Sequence, residues 1–252
     1  MLADLLLAAL ITERHANEPA AQAESVSEAD GRVPAPGSSW VVEPGEDPVV
    51  REEDMYRSGV CATEAALPEG YPAPTAPGAI EIKSYPTVRR AQVSGQGSTA
   101  SSQRGFWPLF QHIQRNEIAM TAPVEMIYDG MTPADDPSDH TVGEGDDWTM
   151  SFLYRSFENG PTGTDGSVEI IDAEPVTVLA VGVRGVLWGP TIRERAGELM
   201  AWIEDSDEWE IAGDLRTFGY NGPYVPNDRK WWEVQIPIRP TNTDSDSERR
   251  PL

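Results

Sequence analysis

Cysteine, lysine and long apolar runs are all scarce in this chain, and each scarcity excludes something. Cys61 is the one cysteine among 252 residues, so no intrachain disulfide forms and no cysteine pair can hold zinc. No histidine lies near it in sequence, which makes it a poor nucleophile. Lys83 and Lys230 are the only lysines. Overall, 19 basic residues face 42 acidic ones, for a formal net charge of −23. Such a chain suits neither nucleic acid, whose phosphates need a basic surface, nor an anionic membrane surface. Cationic partners, or a salty milieu that screens self-repulsion, fit it better. The apolar run at residues 5–11 is too short to span a bilayer, so no stable membrane insertion is expected. With Ala21-Gln22-Ala23 behind it, the run looks like an export signal. Yet Asp4 stands where a signal carries a basic residue, and a short amphipathic helix is the other reading. Cytoplasmic and exported locations both stay open. Nucleotide signatures fail as well. "SGQGSTA" lacks the later glycine and strand-to-helix context of a dinucleotide loop, and no serine-centred nucleophile elbow is present.

What is present begins with a hydrophobic content of 39%, enough for a packed core. Residues 18–78 are rich in Pro, Ala, Glu, Gly and Ser and show little periodicity. The chain therefore divides into a leader and largely irregular arm (1–78), a folded domain (79–238) and a disordered acidic tail (239–252). "SSWVVEP" around Trp40 and "DMYRSGV" around Tyr56 are the parts of the arm able to dock on the domain. Within the domain, "IEIKSYPTVRRAQVSG" from Ile80 and "VEIIDAEPVTVLAVGVRG" from Val168 repeat one pattern: a strand, a turn at proline, a second strand. A helix follows each. The first, 102–115, carries Phe106, Leu109, Phe110 and Ile113 on one stripe. The second, 190–204, carries Ile192, Ala196, Leu199, Met200 and Ile203, and Pro190 suits its first turn. Aromatic-led strands, "WTMSFLYRS" and "WWEVQIPI", close the halves. The expected fold is α+β: two β-β-α-β-β halves forming a curved or barrel-like antiparallel sheet with two helices, and a cleft at their joint. The loop 129–147 carries seven acids and no base. It reads as long and solvated, and it lacks the ligand spacing of a calcium loop.

In "NEIAMTAPVEM", alternate residues Ile118, Met120, Ala122, Val124, Met126 and Tyr128 share one face, the period of a half-buried strand. Pro123 places that strand at an edge, bulge or bend. Methionines give its inner face a pliable wall, suited to an irregular core or an adaptable pocket.

This segment, preceded by "GFWPLFQHIQRN" and followed by "GYNGPYVPNDRKWWEVQIPI", resembles the SOUL family of haem-binding proteins over about residues 79–238. The resemblance implies a duplicated barrel-like fold related to gyrase-inhibitor-like effector-binding domains. It also implies haem or another tetrapyrrole as ligand, held mostly by hydrophobic contact in a carrier, buffer or sensor. Candidate contacts are His112, Leu109, Met120, Met126, Arg115 and Trp231. His112, one step off the buried stripe of its helix, is the candidate iron ligand against a surface hydrogen-bonding role. His15 lies in the leader and His140 in the acidic loop. Met120 and Met126 offer thioethers or core packing. Arg104, Arg115, Arg229 and Lys230 are candidates to pair with propionates. Trp107, Trp231 and Trp232 could stack on a planar ring; Trp232, in step with Val234, Ile236 and Ile238, reads as core, with Trp231 on the opposite face beside Glu233 and Gln235. Glu233 is an acid in an otherwise apolar strand. If it faces the cleft, partial burial raises its pKa toward that of a general base; otherwise it is a solvated outer-face residue. Two alternatives follow: an effector-binding module or small hydrolase-like enzyme centred on Glu233, and an acidic protein-interaction module.

Overall fold

The computed structural model of the chain describes residues 33–97, 102–129 and 147–241, with a two-residue strand, β1 (Glu24–Ser25), ahead of them. His15, His140, the leader, the interior of the acidic loop and most of the tail lie outside the described residues. No described helix is long and apolar enough to cross a membrane.

Two β-β-α-β-β runs follow one another. The first is β6 (Ile80–Tyr85), β7 (Val88–Gln96), α1 (Ser102–Arg115), β8 (Val124–Asp129) and β9 (Asp147–Leu153). The second is β11 (Val168–Ala173), β12 (Val176–Arg184), α2 (Gly189–Glu204), β14 (Arg216–Gly219) and β15 (Trp231–Pro240). Between them lies β10 (Gly163–Asp165), and β13 (Trp209–Ile211) pairs with the far end of β15. In the arm, β2 (Ser39–Glu43) adds to β6. The strands β3 (Val50–Glu52), β4 (Met55–Ser58) and β5 (Cys61–Ala62) form a small separate sheet.

The large sheet runs β1-β2-β6-β12-β15-β14-β8-β9-β7-β11-β10. The first strand of each run is exchanged: β6 lies against β12, and β11 against β7. The runs meet where β14 pairs with β8. The order has two ends, and no pairing among the described residues joins them, so the sheet is not a closed barrel.

Both faces of this sheet are covered. On one, Ile192, Ala196, Leu199 and Ile203 of α2 pack on Leu179, Val181, Val234 and Ile236. Leu109 and Ile113 of α1 pack on Met150 and Phe152. On the other, residues 61–77 run as a strap over β6, β12 and β15. Cys61 and Tyr71 join Tyr85, Val178, Phe218 and Trp231 there. Gly182 marks the closest approach of strap to sheet. A Cβ at this position would meet the Ala76 carbonyl oxygen at 2.0 Å, and the Gly78 N–H donates to the Gly182 carbonyl at 2.9 Å. Only glycine lets two backbones come that near.

The motif strand is shorter than its alternation suggests. β8 starts at Val124, immediately after a cis Ala122–Pro123 peptide. Residues 117–123 make no ladder. Instead Thr121 Oγ1 donates to the Leu153 carbonyl, and Glu117 takes a positive φ of 54°. Proline, without an N–H, stands just outside the strand rather than within it.

Candidate functional site

A cleft of about 990 Å³ opens on the helix-covered face where the two runs meet. Val124, Met126 and Tyr128 of β8, Thr217 and Gly219 of β14, and Trp232 of β15 form its floor. Phe106 of α1 stands on one side. Trp188 and Ile192, at the start of α2, stand on the other. Met120 lines it from the segment before β8, and Glu64, Asn221, Gly222 and Lys230 lie at its polar edge. Its size is at the upper end of small-molecule pockets, and its predominantly apolar wall suits a large hydrophobic ligand.

Local sequence explains the shape. Gly219 leaves room for the Trp232 indole: a Cβ there would meet the ring at 2.5 Å. The Trp232 N–H donates to the Gly185 carbonyl at 3.0 Å, fixing the ring in the floor. Glu64 Oε2 accepts the Gly222 N–H at 2.5 Å, and Asn221 accepts the Trp231 N–H at 2.7 Å. The Gly-Tyr-Asn-Gly-Pro turn is therefore held against the strap. Lys230 is the one cation lining the cleft, and its ammonium has no carboxylate partner among the described residues.

Of the residues singled out in the sequence, Met120, Met126, Trp232 and Lys230 line this cleft; Leu109, His112, Arg115 and Trp231 do not. Leu109 is fully buried under α1. His112 points into the protein, not to a boundary open to ligand. Its Nε2 and the Tyr154 hydroxyl lie 2.7 Å apart, and its Nδ1 is 2.7 Å from Asp165 Oδ2. Both ring nitrogens are thus engaged, and iron ligation would break one of these contacts. Arg115 donates to the same Asp165 carboxylate at 2.8 Å. The His112 contact, burial acting against it, and Arg115 leave the Asp165 carboxyl below the usual carboxylate range.

The two faces of β15 have the expected membership, but the face of Trp231, Glu233 and Gln235 is covered rather than open. Trp231, Glu233 and Gln235 are fully buried beneath the strap, and Trp231 Nε1 donates to the Thr75 carbonyl at 2.8 Å. Trp232 packs, half-buried, against the core that Val234, Ile236 and Ile238 join, and its ring also faces the cleft. Glu233 is neither solvated nor on the cleft surface. Oε1 accepts the Thr75 N–H (2.6 Å), the Lys83 ammonium (2.9 Å) and the Tyr220 hydroxyl (2.8 Å). Oε2 accepts from Tyr85 (3.3 Å) and from Gln235. Burial pushes the carboxyl up, but the Lys83 charge and hydrogen bond, the Thr75 N–H and the Tyr220 hydroxyl outweigh it. The pKa falls below the ordinary value, opposite to the shift a general base needs. Tyr220 is the link to the cleft: it lines the wall while its hydroxyl points back to Glu233.

Sequence reasoning missed Trp188, Ile192 as a wall, and Tyr220. A bulky aromatic just before the Gly-Pro opening of α2 was the available signal for Trp188.

The SOUL heme-binding protein family model matches residues 71–237. The chain belongs to the SOUL family. Among solved structures, the C-terminal domain of EcmrR superposes with a TM-score of 0.53 at 15% identity, covering 64% of this chain and 98% of that one. EcmrR in its DNA complex gives 0.52 at 15% identity, with 64% of this chain matched but only 57% of EcmrR. These likenesses establish a shared α+β fold and nothing about ligands. No curated protein matches the sequence.

The SOUL cleft here fits the body of a tetrapyrrole better than its iron. Phe106, Trp188 and Trp232 offer aromatic surface to a flat ring, and Lys230 offers one charge to a carboxylate. No described histidine lines it. The side chains of its lining that could offer a donor to an iron are the Met120 and Met126 thioethers and the Tyr128 phenol, which sits 3.5 Å from Thr217 Oγ1.

Proposed function

We propose that the protein binds haem or a related tetrapyrrole in the cleft between α1 and α2, as a carrier, buffer or sensor. The observation that carries this reading is the apolar, methionine-floored cleft built on the Met-Thr-Ala-Pro segment of a SOUL domain. Aromatic and aliphatic walls hold the macrocycle. Lys230 takes one propionate, and His112 serves the fold rather than the iron. When bound, haem supplies an iron whose coordination the protein tunes through its neighbours. Met120, Met126 and Tyr128 are the residues placed to do so. The two β-β-α-β-β runs read as an internal duplication, which accounts for a single cleft at their meeting line.

Titration of the full chain with haemin, followed by the Soret band, tests the reading. Saturable one-to-one binding is expected, weakened about tenfold or more by Met126→Glu, which sets a carboxylate in the apolar floor. An unsaturating titration matching that of an unrelated protein would overturn it. The acidic group can be probed without iron: protoporphyrin IX should bind several-fold tighter than its dimethyl ester, and Lys230→Glu should erase that difference.

A further inference from the structure

The bases among the described residues divide into two groups. Arg51, Arg57, Lys83, Arg89, Arg90, Arg115, Arg155, Arg195, Arg216 and Arg239 each ion-pair with a carboxylate. Arg104, Arg184, Arg193, Arg229 and Lys230 make no side-chain ion pair or hydrogen bond among the described residues. In a chain of net charge −23, a base without an acid is unexpected, and four of these five, Arg104, Arg193, Arg229 and Lys230, sit on the helices and the turn that frame the cleft. Arg104 lies two residues before Phe106 on α1. Arg193 follows Ile192 on α2. Arg184 is the exception: it pairs in register with Trp231 and shares that residue's strap-covered side of the sheet, away from the cleft. Arg229 precedes Lys230.

Half of the large hydrophobic side chains exposed among the described residues lie on or beside the same elements, and they include both exposed tryptophans. Trp188, 62% exposed, lines the cleft, with Val186 (49%) beside it and Met120 (40%) also on the lining. Trp107 is 60% exposed and meets the cleft-lining Phe106 edge to face, with ring centroids 6.0 Å apart. Tyr224 is 97% exposed, next to the cleft-lining Pro223. Solvent-facing tryptophan and tyrosine interleaved with unpaired arginine and lysine form the composition that settles at a lipid–water interface. There the aromatic rings lie at headgroup level and the bases meet phosphates.

We infer that the cleft rim docks on a phospholipid bilayer, so that an apolar ligand moves between membrane and cleft without crossing water. The inference goes beyond the ligand reading, because docking needs the rim and not a particular occupant. The unpaired bases complement the phosphates of zwitterionic headgroups, while the acidic remainder of the chain avoids anionic lipid at low salt.

Sedimentation of the full chain with phosphatidylcholine vesicles tests it, together with quenching of tryptophan fluorescence by brominated phosphatidylcholine. The wild type is expected to sediment with the vesicles and to be quenched. Val186→Ser/Tyr224→Ala should cut partitioning several-fold, and Arg193→Glu should do the same. None of these residues lines the cleft, so haemin titration in solution should be unchanged. That separates failure of docking from failure of the ligand reading. Absence of sedimentation, equal partitioning of the variants, or a dimer by light scattering that buries Trp107 would each overturn the inference.

Discussion

Glu233 and Lys83 form a fully buried ion pair, 2.9 Å apart, in a chain otherwise almost without lysine. Breaking such a pair from one side leaves an uncompensated charge, so Glu233→Gln or Lys83→Met should cost roughly 3–5 kcal/mol in urea unfolding. Replacing both with apolar residues should recover part of that loss. The pH dependence follows from the sign of the shift. The folded pKa of Glu233 lies below its unfolded value, so the pair's stabilisation is present above the unfolded pKa and lost as pH falls through the folded one. Unfolding free energy should therefore drop as pH falls below the ordinary 4.5, with a shallower drop in Glu233→Gln. Glu81, whose carboxyl burial pushes up despite Lys83, acts in the opposite sense: it favours the folded state at low pH and loses that contribution as pH rises through its folded pKa. His112 is the other test at this scale. His112→Ala should orphan the Tyr154 hydroxyl, lower stability by about 1–3 kcal/mol, and leave the Soret spectrum of bound haemin unaltered.

Elements show where sequence periodicity carries information and where it stops. The stripes of α1 and α2 were legible because each helix buries one face only, and both helices lie where their periodicity places them. β15 was not legible in the same way. A strand covered on both sides loses the polar-out alternation, so Glu233 and Gln235 read as solvent-facing when they are the most buried polar groups of the strand. What covers them is the strap, and a strap has no period. Its covering role rests on backbone groups, namely the Thr75 N–H and the Ala73 and Thr75 carbonyls, which no residue pattern announces. The cleft was legible at Met120 and Met126 and hidden at Trp188. Here Gly219→Ala offers a direct test. The added methyl collides with the Trp232 ring at 2.5 Å and should cost about 1–3 kcal/mol. Thermal melting would show the loss, and ligand titration should show weaker binding as the ring is pushed into the cleft.

At the scale of the whole molecule, the folding unit reaches further toward the N-terminus than the two β-β-α-β-β runs alone. Residues 61–77 cover one face of the sheet and supply partners to Glu233, Lys83 and Trp231. A truncation starting at Ala79 should expose Tyr85, Phe218 and Trp231 and strand a charge pair. Size-exclusion chromatography and circular dichroism are expected to show an aggregating or unfolded product, whereas a chain beginning ahead of residue 33 should stay monodisperse. One molecular feature also offers a practical handle. Of the two lysines, one is sealed inside the sheet and the other stands at the mouth of the cleft. Amine-selective acylation of the native protein should therefore modify the α-amino group and Lys230 alone. A fluorophore attached at Lys230 would report cleft occupancy directly, and a bound ligand would shield that amine from the reagent.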